Sequence, residues 1–70
     1  IDVKIMGRNI SLSGLTDDAG VSMYDVVGKL MYRFTEIKNG QSFEVKVPGV
    51  YIMEVNAGKQ QTKIKVLIQD

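Results

Sequence analysis

Apolar and polar residues alternate with a period of two along most of the chain, and Gly, Pro, Asn and Asp break the alternation at intervals. That is the pattern of half-buried strands separated by turns. Val3 and Ile5 flank Lys4, Gly7-Arg8-Asn9 interrupts, and Ile10-Ser11-Leu12 resumes, which predicts one bent edge strand or two very short ones. Ser13 to Gly20 is rich in turn formers. Asp side chains bond the backbone two residues on and Gly takes positive φ, so a loop is expected here, with Leu15 tucked inward. Val21 to Tyr24 reads as a strand that stops at Asp25-Val26-Val27-Gly28, and Gly28 is placed to close a hairpin. The run Lys29 to Glu36 puts Leu30, Tyr32 and Phe34 on one face and Met31, Arg33 and Thr35 on the other, the first face being the core candidate. Asn39-Gly40 predicts a type I′ or related turn.

Ser42 to Val47 alternates without a break, with Phe43, Val45 and Val47 on one side. Pro48 has no amide hydrogen for a ladder and ends that strand, and Gly49 allows a sharp change of direction. In the next strand Tyr51, Met53, Val55 and Ala57 share one face. The other face carries Val50 and Ile52 before Glu54, so one end of this strand is expected to be covered on both sides. Asn56 to Lys59 turns the chain, and Thr62 to Ile68 returns with Ile64, Val66 and Ile68 inward. No stretch keeps a 3.6-residue apolar period over three turns. Six or seven short strands separated by turns predict an all-β domain, a small antiparallel β-sandwich, with a compact barrel as the alternative. The expected core is Leu30, Phe34, Phe43, Val45, Tyr51, Met53, Val55, Ile64 and Val66.

Seventy residues suffice for one domain and not for two, since a second core needs its own buried surface. The chain begins at Ile1, without a basic and apolar leader, so a longer protein preceding it is expected. It contains no Cys and no His. Disulfides, thiol nucleophiles and Ser-His triads are thereby excluded, and a zinc site would have to be built from carboxylates alone. Nine basic residues against eight acidic ones give a net charge of +1 with the signs interleaved. The densest basic cluster, Lys59, Lys63 and Lys65, is too small for a phosphate-tracking surface, so no nucleic-acid partner is expected. The longest apolar run, Val50 to Met53, is far short of a membrane-spanning helix.

The remaining chemistry is sparse. Asp17 and Asp18 lie beside Gly20, which is what a turn needs and too few oxygen ligands for a calcium loop. The glycines fall at the chain reversals and never lead into a helix, so they form no phosphate cradle. Tyr24, Tyr32, Phe34, Phe43 and Tyr51 sit mostly at strand spacing on the inner face, where core packing is the reading rather than a stacking platform. Tyr51 is the exception worth following, because its ring can fill the end of a sandwich while its hydroxyl finds a partner near the surface. No catalytic residue, cofactor or metal is expected, and the domain is read as non-enzymatic.

Three blocks carry a family resemblance. Val21-Ser22-Met23-Tyr24-Asp25-Val26-Val27-Gly28-Lys29-Leu30, Gly49-Val50-Tyr51-Ile52-Met53-Glu54-Val55 and Thr62-Lys63-Ile64-Lys65-Val66-Leu67-Ile68 follow in order, with Ile10 to Leu15 as a fair match to an early strand. Together they resemble the C-terminal sorting domain, type A form, of type IX secretion in Bacteroidetes secreted or surface proteins. The resemblance implies an immunoglobulin-like sandwich over residues 1–70 at the C-terminus of a longer protein. It implies that the domain directs an attached N-terminal cargo domain through the periplasm and across the outer membrane, with outer-membrane secretion proteins as partners and a secreted or cell-surface destination. Carried over by position, the resemblance makes Tyr24, Asp25, Gly28, Gly49 and Tyr51 structural motif residues, Gly28 forming the hairpin turn and Gly49 with Tyr51 the family corner; Lys63 and Lys65 mark the closing signal strand, and with Leu67 they are its expected sorting surface. Met23, Met31 and Met53 stand where β-branched residues are usual. The alternative reading is a non-catalytic immunoglobulin-like structural or adhesive module of a surface protein.

Overall fold

The alternating segments form seven strands in the computed structural model, which describes residues 1–70. They are β1 (Asp2–Met6), β2 (Asn9–Ser13), β3 (Ala19–Tyr24), β4 (Leu30–Ile37), β5 (Ser42–Glu44), β6 (Gly49–Ala57) and β7 (Gln60–Ile68). All pairs are antiparallel, in a three-stranded sheet of order β1-β2-β5 and a four-stranded sheet of order β4-β3-β6-β7. Three pairings, β1-β2, β3-β4 and β6-β7, are hairpins between sequence neighbours, whereas β2-β5 and β3-β6 join distant segments. The chain changes sheet between β2 and β3, between β4 and β5, and between β5 and β6, and these crossings make the sandwich immunoglobulin-like. Gly7-Arg8 turns between β1 and β2, so the opening segment is two short strands rather than one bent one.

The core lies between the sheets. Ile10 and Leu12 of β2 with Phe43 and Val45 face Val21 and Met23 of β3, Tyr51, Met53 and Val55 of β6, and Val66 and Ile68 of β7. Leu15 is partly buried against this cluster, and Ile64 and Phe34 are half-buried at its margin. Aromatic contacts bridge the sheets at one edge, with Phe34 of β4 on Phe43 of β5 at 4.5 Å between ring centroids.

Several expectations change, beginning with β4. Its pairing with β3 shifts register twice. Met23 faces Tyr32 but Tyr24 faces Leu30, which leaves Met31 as an extra residue. Side chains alternate strictly between faces, so one inserted residue transfers those beyond it to the other face. Leu30 therefore leaves the core for the outer face and is 45% exposed. At the other end Val21 faces Phe34 but Ala19 faces Ile37, and Thr35 with Glu36 occupy the space opposite Gly20. Glu36 takes φ 56°, and this second bulge turns Ile37 inward, where it is buried.

β5 is shorter than the alternation predicts, since it stops at Glu44 and leaves Val47 56% exposed. Val45 keeps one strand-like bond, its amide donating to the Arg8 carbonyl at 2.8 Å. The turn at Asn39-Gly40 is not type I′, because Gly40 has positive φ and Asn39 does not, and a type I′ turn requires both. It carries the chain between sheets rather than closing a hairpin. Nor is either end of β6 covered on both sides, Val50 being exposed.

The left-handed backbone at Glu36 gives a first expected result. A β-branched side chain is strongly disfavoured there, so Glu36→Val should cost about 1–2 kcal/mol, while Glu36→Gly should change stability by less than about 1 kcal/mol. Urea midpoints with unchanged slopes check both.

Candidate functional site

The turn after β3 is organised by one carboxylate. The Asp25 Oδ1 accepts hydrogen bonds from the amides of Val27 at 3.0 Å and Lys29 at 2.9 Å. The Asp25 amide donates to the Lys29 carbonyl at 2.9 Å, and the Gly28 amide to the Asp25 carbonyl at 3.0 Å. Gly28 sits at φ 91°, where no Cβ is tolerated without strain. With its polar groups turned onto its own backbone, the turn shows solvent its side chains, and Val26 and Val27 are 72% and 85% exposed.

A second arrangement holds the start of β6. Tyr51 is 4% exposed, and its hydroxyl donates to the Val47 carbonyl at 2.6 Å. The Val47 amide in turn donates to the Tyr32 hydroxyl at 3.2 Å. The two rings meet edge to face, 5.8 Å between centroids. One peptide residue beside Pro48 is thus held at both polar groups by tyrosines from β4 and β6, and Gly49 opens β6 just after it. A tyrosine bonded back to the backbone a few residues upstream, at the corner into a central strand, is a recurring device of immunoglobulin-like sandwiches. Burial pushes the Tyr51 phenol above its ordinary range, and the neighbouring Tyr32 hydroxyl adds to the effect.

The expected site residues divide into an inner and an outer group. Gly49 and Tyr51 belong to the corner. Tyr24, Lys63, Lys65 and Leu67 lie on the outer face of the four-stranded sheet, where Tyr24 faces Ile52, Ile52 faces Lys65, Glu54 faces Lys63 and Val50 faces Leu67. An open groove of about 370 Å³ is lined there by Tyr24, Asp25, Val26, Gly28, Ile52, Glu54 and Lys63. All three sequence blocks that carry the resemblance supply part of its wall. Lys65 and Leu67 lie beyond it along β7.

β7 is an edge strand of the four-stranded sheet, and none of the backbone hydrogen bonds outside the ladders involves it. Its free edge therefore presents unpaired amides and carbonyls. Leu67 is 52% exposed, and Lys63 and Lys65 are exposed with no carboxylate in ion-pair contact.

Sequence reasoning did not find two contacts. One is the Tyr32 half of the clamp on Val47, whose only signal was a second tyrosine at an inward position of β4, a strand separated from β6 by β3. The other is Arg8, whose guanidinium pairs with the Asp70 carboxylate and donates to the Lys46 carbonyl at 2.8 Å, tying the first hairpin to the end of the last strand. Asp17 and Asp18 stay apart from other ligands: Asp18 pairs with Lys38 at 3.1 Å, and no group of three or more metal-ligating side chains forms. The arrangement leaves the groove and the β7 edge open, and it assembles no catalytic constellation.

The model of the secretion system C-terminal sorting domain matches residues 7–69. No curated protein and no solved structure is significantly similar to the chain.

Proposed function

We infer, because this chain belongs to the family of secretion system C-terminal sorting domains, that it is the signal by which type IX secretion exports an attached cargo protein across the outer membrane. Family membership carries the sorting role and an extracellular or cell-surface destination. Residues 1–70 are, on this reading, a single C-terminal sandwich of a longer protein whose cargo domain precedes it. The cargo passes through the periplasm, and outer-membrane proteins of the secretion machinery are the partners. Lys63, Lys65 and Leu67 are the surface they read. What supports this assignment is that the three residues share one face of an unpaired, unbulged edge strand, a surface that any cargo carrying the domain would present in the same way.

The test is export of a reporter. Fused to the C-terminus of a periplasmic reporter, in a host with type IX secretion, this chain should deliver it to the surface, and an unrelated β-sandwich of equal size should not. A double variant, Lys63→Ala with Lys65→Ala, should lose most delivery yet only a few tenths of a kcal/mol of stability, as expected of exposed side chains. A reporter retained in the periplasm behind a folded, intact tail would defeat the sorting reading and favour a structural module.

A further inference from the structure

Four strands border the sheets, and they are not equally able to accept another strand. β5 has three residues. β4 is broken by two register shifts and by the left-handed Glu36, and bulges of this kind twist an edge away from partners. β1 has five residues, with Asp2 and Lys4 of opposite sign on its outer face. β7 runs for nine residues, and its register against β6 is unbroken from Gln60 to Ile68. It alone offers a long, regular row of free backbone groups.

The side chains on β7 restrict what can use that row. Lys63, Lys65 and Leu67 project to the outer face, while Ile64 is half-buried on the inner one with its flank open at the sheet margin. A second copy docking antiparallel about Ile64 or about Lys65 would set lysine opposite lysine, and like charges directly opposed destabilise a strand pair. The lysines thus guard the edge against self-pairing. The same lysines complement carboxylates at alternate positions of an incoming strand.

We propose that the free edge of β7 receives an extended protein segment in which acidic residues alternate with apolar or β-branched ones, the acids pairing with Lys63 and Lys65 and an apolar residue covering Ile64. The backbone ladder supplies affinity and the alternate side chains supply selectivity. This rests on the sorting reading for its setting, the partner being a protein of the export route, and it adds the chemistry by which that partner is chosen.

The experiment titrates the purified 70-residue chain with two capped synthetic peptides, one alternating Glu with Thr and Val, the other with Lys in place of each Glu. Backbone amide shifts are followed by NMR at low and at moderate salt. The Glu peptide should bind about tenfold more tightly than the Lys peptide and more weakly as salt rises. Its shifts should centre on Gln61 to Leu67. In the K63E/K65E double variant, which should remain folded because both positions are exposed and the new charge opposite Glu54 costs only a modest fraction of the stability, the preference should reverse. Equal affinity for the two peptides, shifts confined to other strands, or binding of neither would overturn the proposal. The reporter assay is independent of these outcomes: export without peptide selectivity removes this inference alone, and selectivity without export removes the sorting reading alone.

Discussion

Replacing Tyr51 by alanine should abolish stable folding at room temperature. The ring is almost wholly buried and touches Tyr32. Truncating a buried aromatic costs about 3–5 kcal/mol, comparable with the whole stability of a domain this size, which is on the order of 5 kcal/mol. Tyr51→Phe separates the ring from the hydroxyl. It keeps the packing and leaves the Val47 carbonyl without its donor, so about 1–2 kcal/mol should be lost. Tyr32→Phe removes the acceptor of the Val47 amide, and because both act on one residue, the double Phe variant should depart from additivity. The pH dependence gives a separate check. The folded state raises the Tyr51 pKa, so it holds the phenolic proton more tightly than the unfolded chain, whose tyrosines titrate near 10. The associated stability is complete below about pH 10 and is lost as pH rises through the folded pKa. Urea midpoints between pH 8 and 11 should therefore fall more steeply for the original chain than for Tyr51→Phe. Parallel curves would show that the phenol contributes nothing to alkaline unfolding.

The second large effect is expected at Met53. Met23 and Met53 face each other across the central β3-β6 pair, and both are fully buried beneath the opposite sheet. Met53→Ala should cost about 2–5 kcal/mol, according to how far its neighbours collapse into the space left behind. Met53→Leu, of similar volume, should cost less than about 1.5 kcal/mol. Denaturant unfolding of the two variants distinguishes a requirement for volume from one for the thioether. If Leu proved as damaging as Ala, the flexible shape of methionine would be what this site needs, and the use of methionine here instead of a β-branched residue would have its explanation.

Alternation alone revealed β6 and β7, because both are regular throughout: the inward positions predicted for Tyr51, Met53, Val55, Val66 and Ile68 are buried, and Ile64, predicted inward with them, is half-buried at the margin. It misled on Leu30 because a bulge changes the face of every residue beyond it, and nothing local in Leu30-Met31-Tyr32 marks the extra residue. The inward turn of Ile37 was hidden for the same reason. Phe43 and Val45 were legible, but the early end of β5 was not, since the alternation continues to Val47 after the chain has begun to cross between sheets. As for the candidate site, the sequence blocks indicated the segments that meet at the groove and the face that carries the lysines. That β7 is left as an open edge follows from sheet order, which depends on pairings between distant segments and has no signature in local pattern.

The division of the ladders into three neighbouring hairpins and two distant pairings also sets the order of assembly. Hairpins close quickly because little chain entropy is lost, whereas joining β2 to β5 and β3 to β6 requires closure of long loops before any contact repays it. Both distant pairings use β5 or β6, and the Tyr51 clamp and the core between the sheets wait on them. The slow step therefore belongs to the second half of the chain, and until β5 and β6 are in place the earlier hairpins have no partner on which to bury their apolar faces. A domain arranged in this way gains its native core only when its second half joins the first.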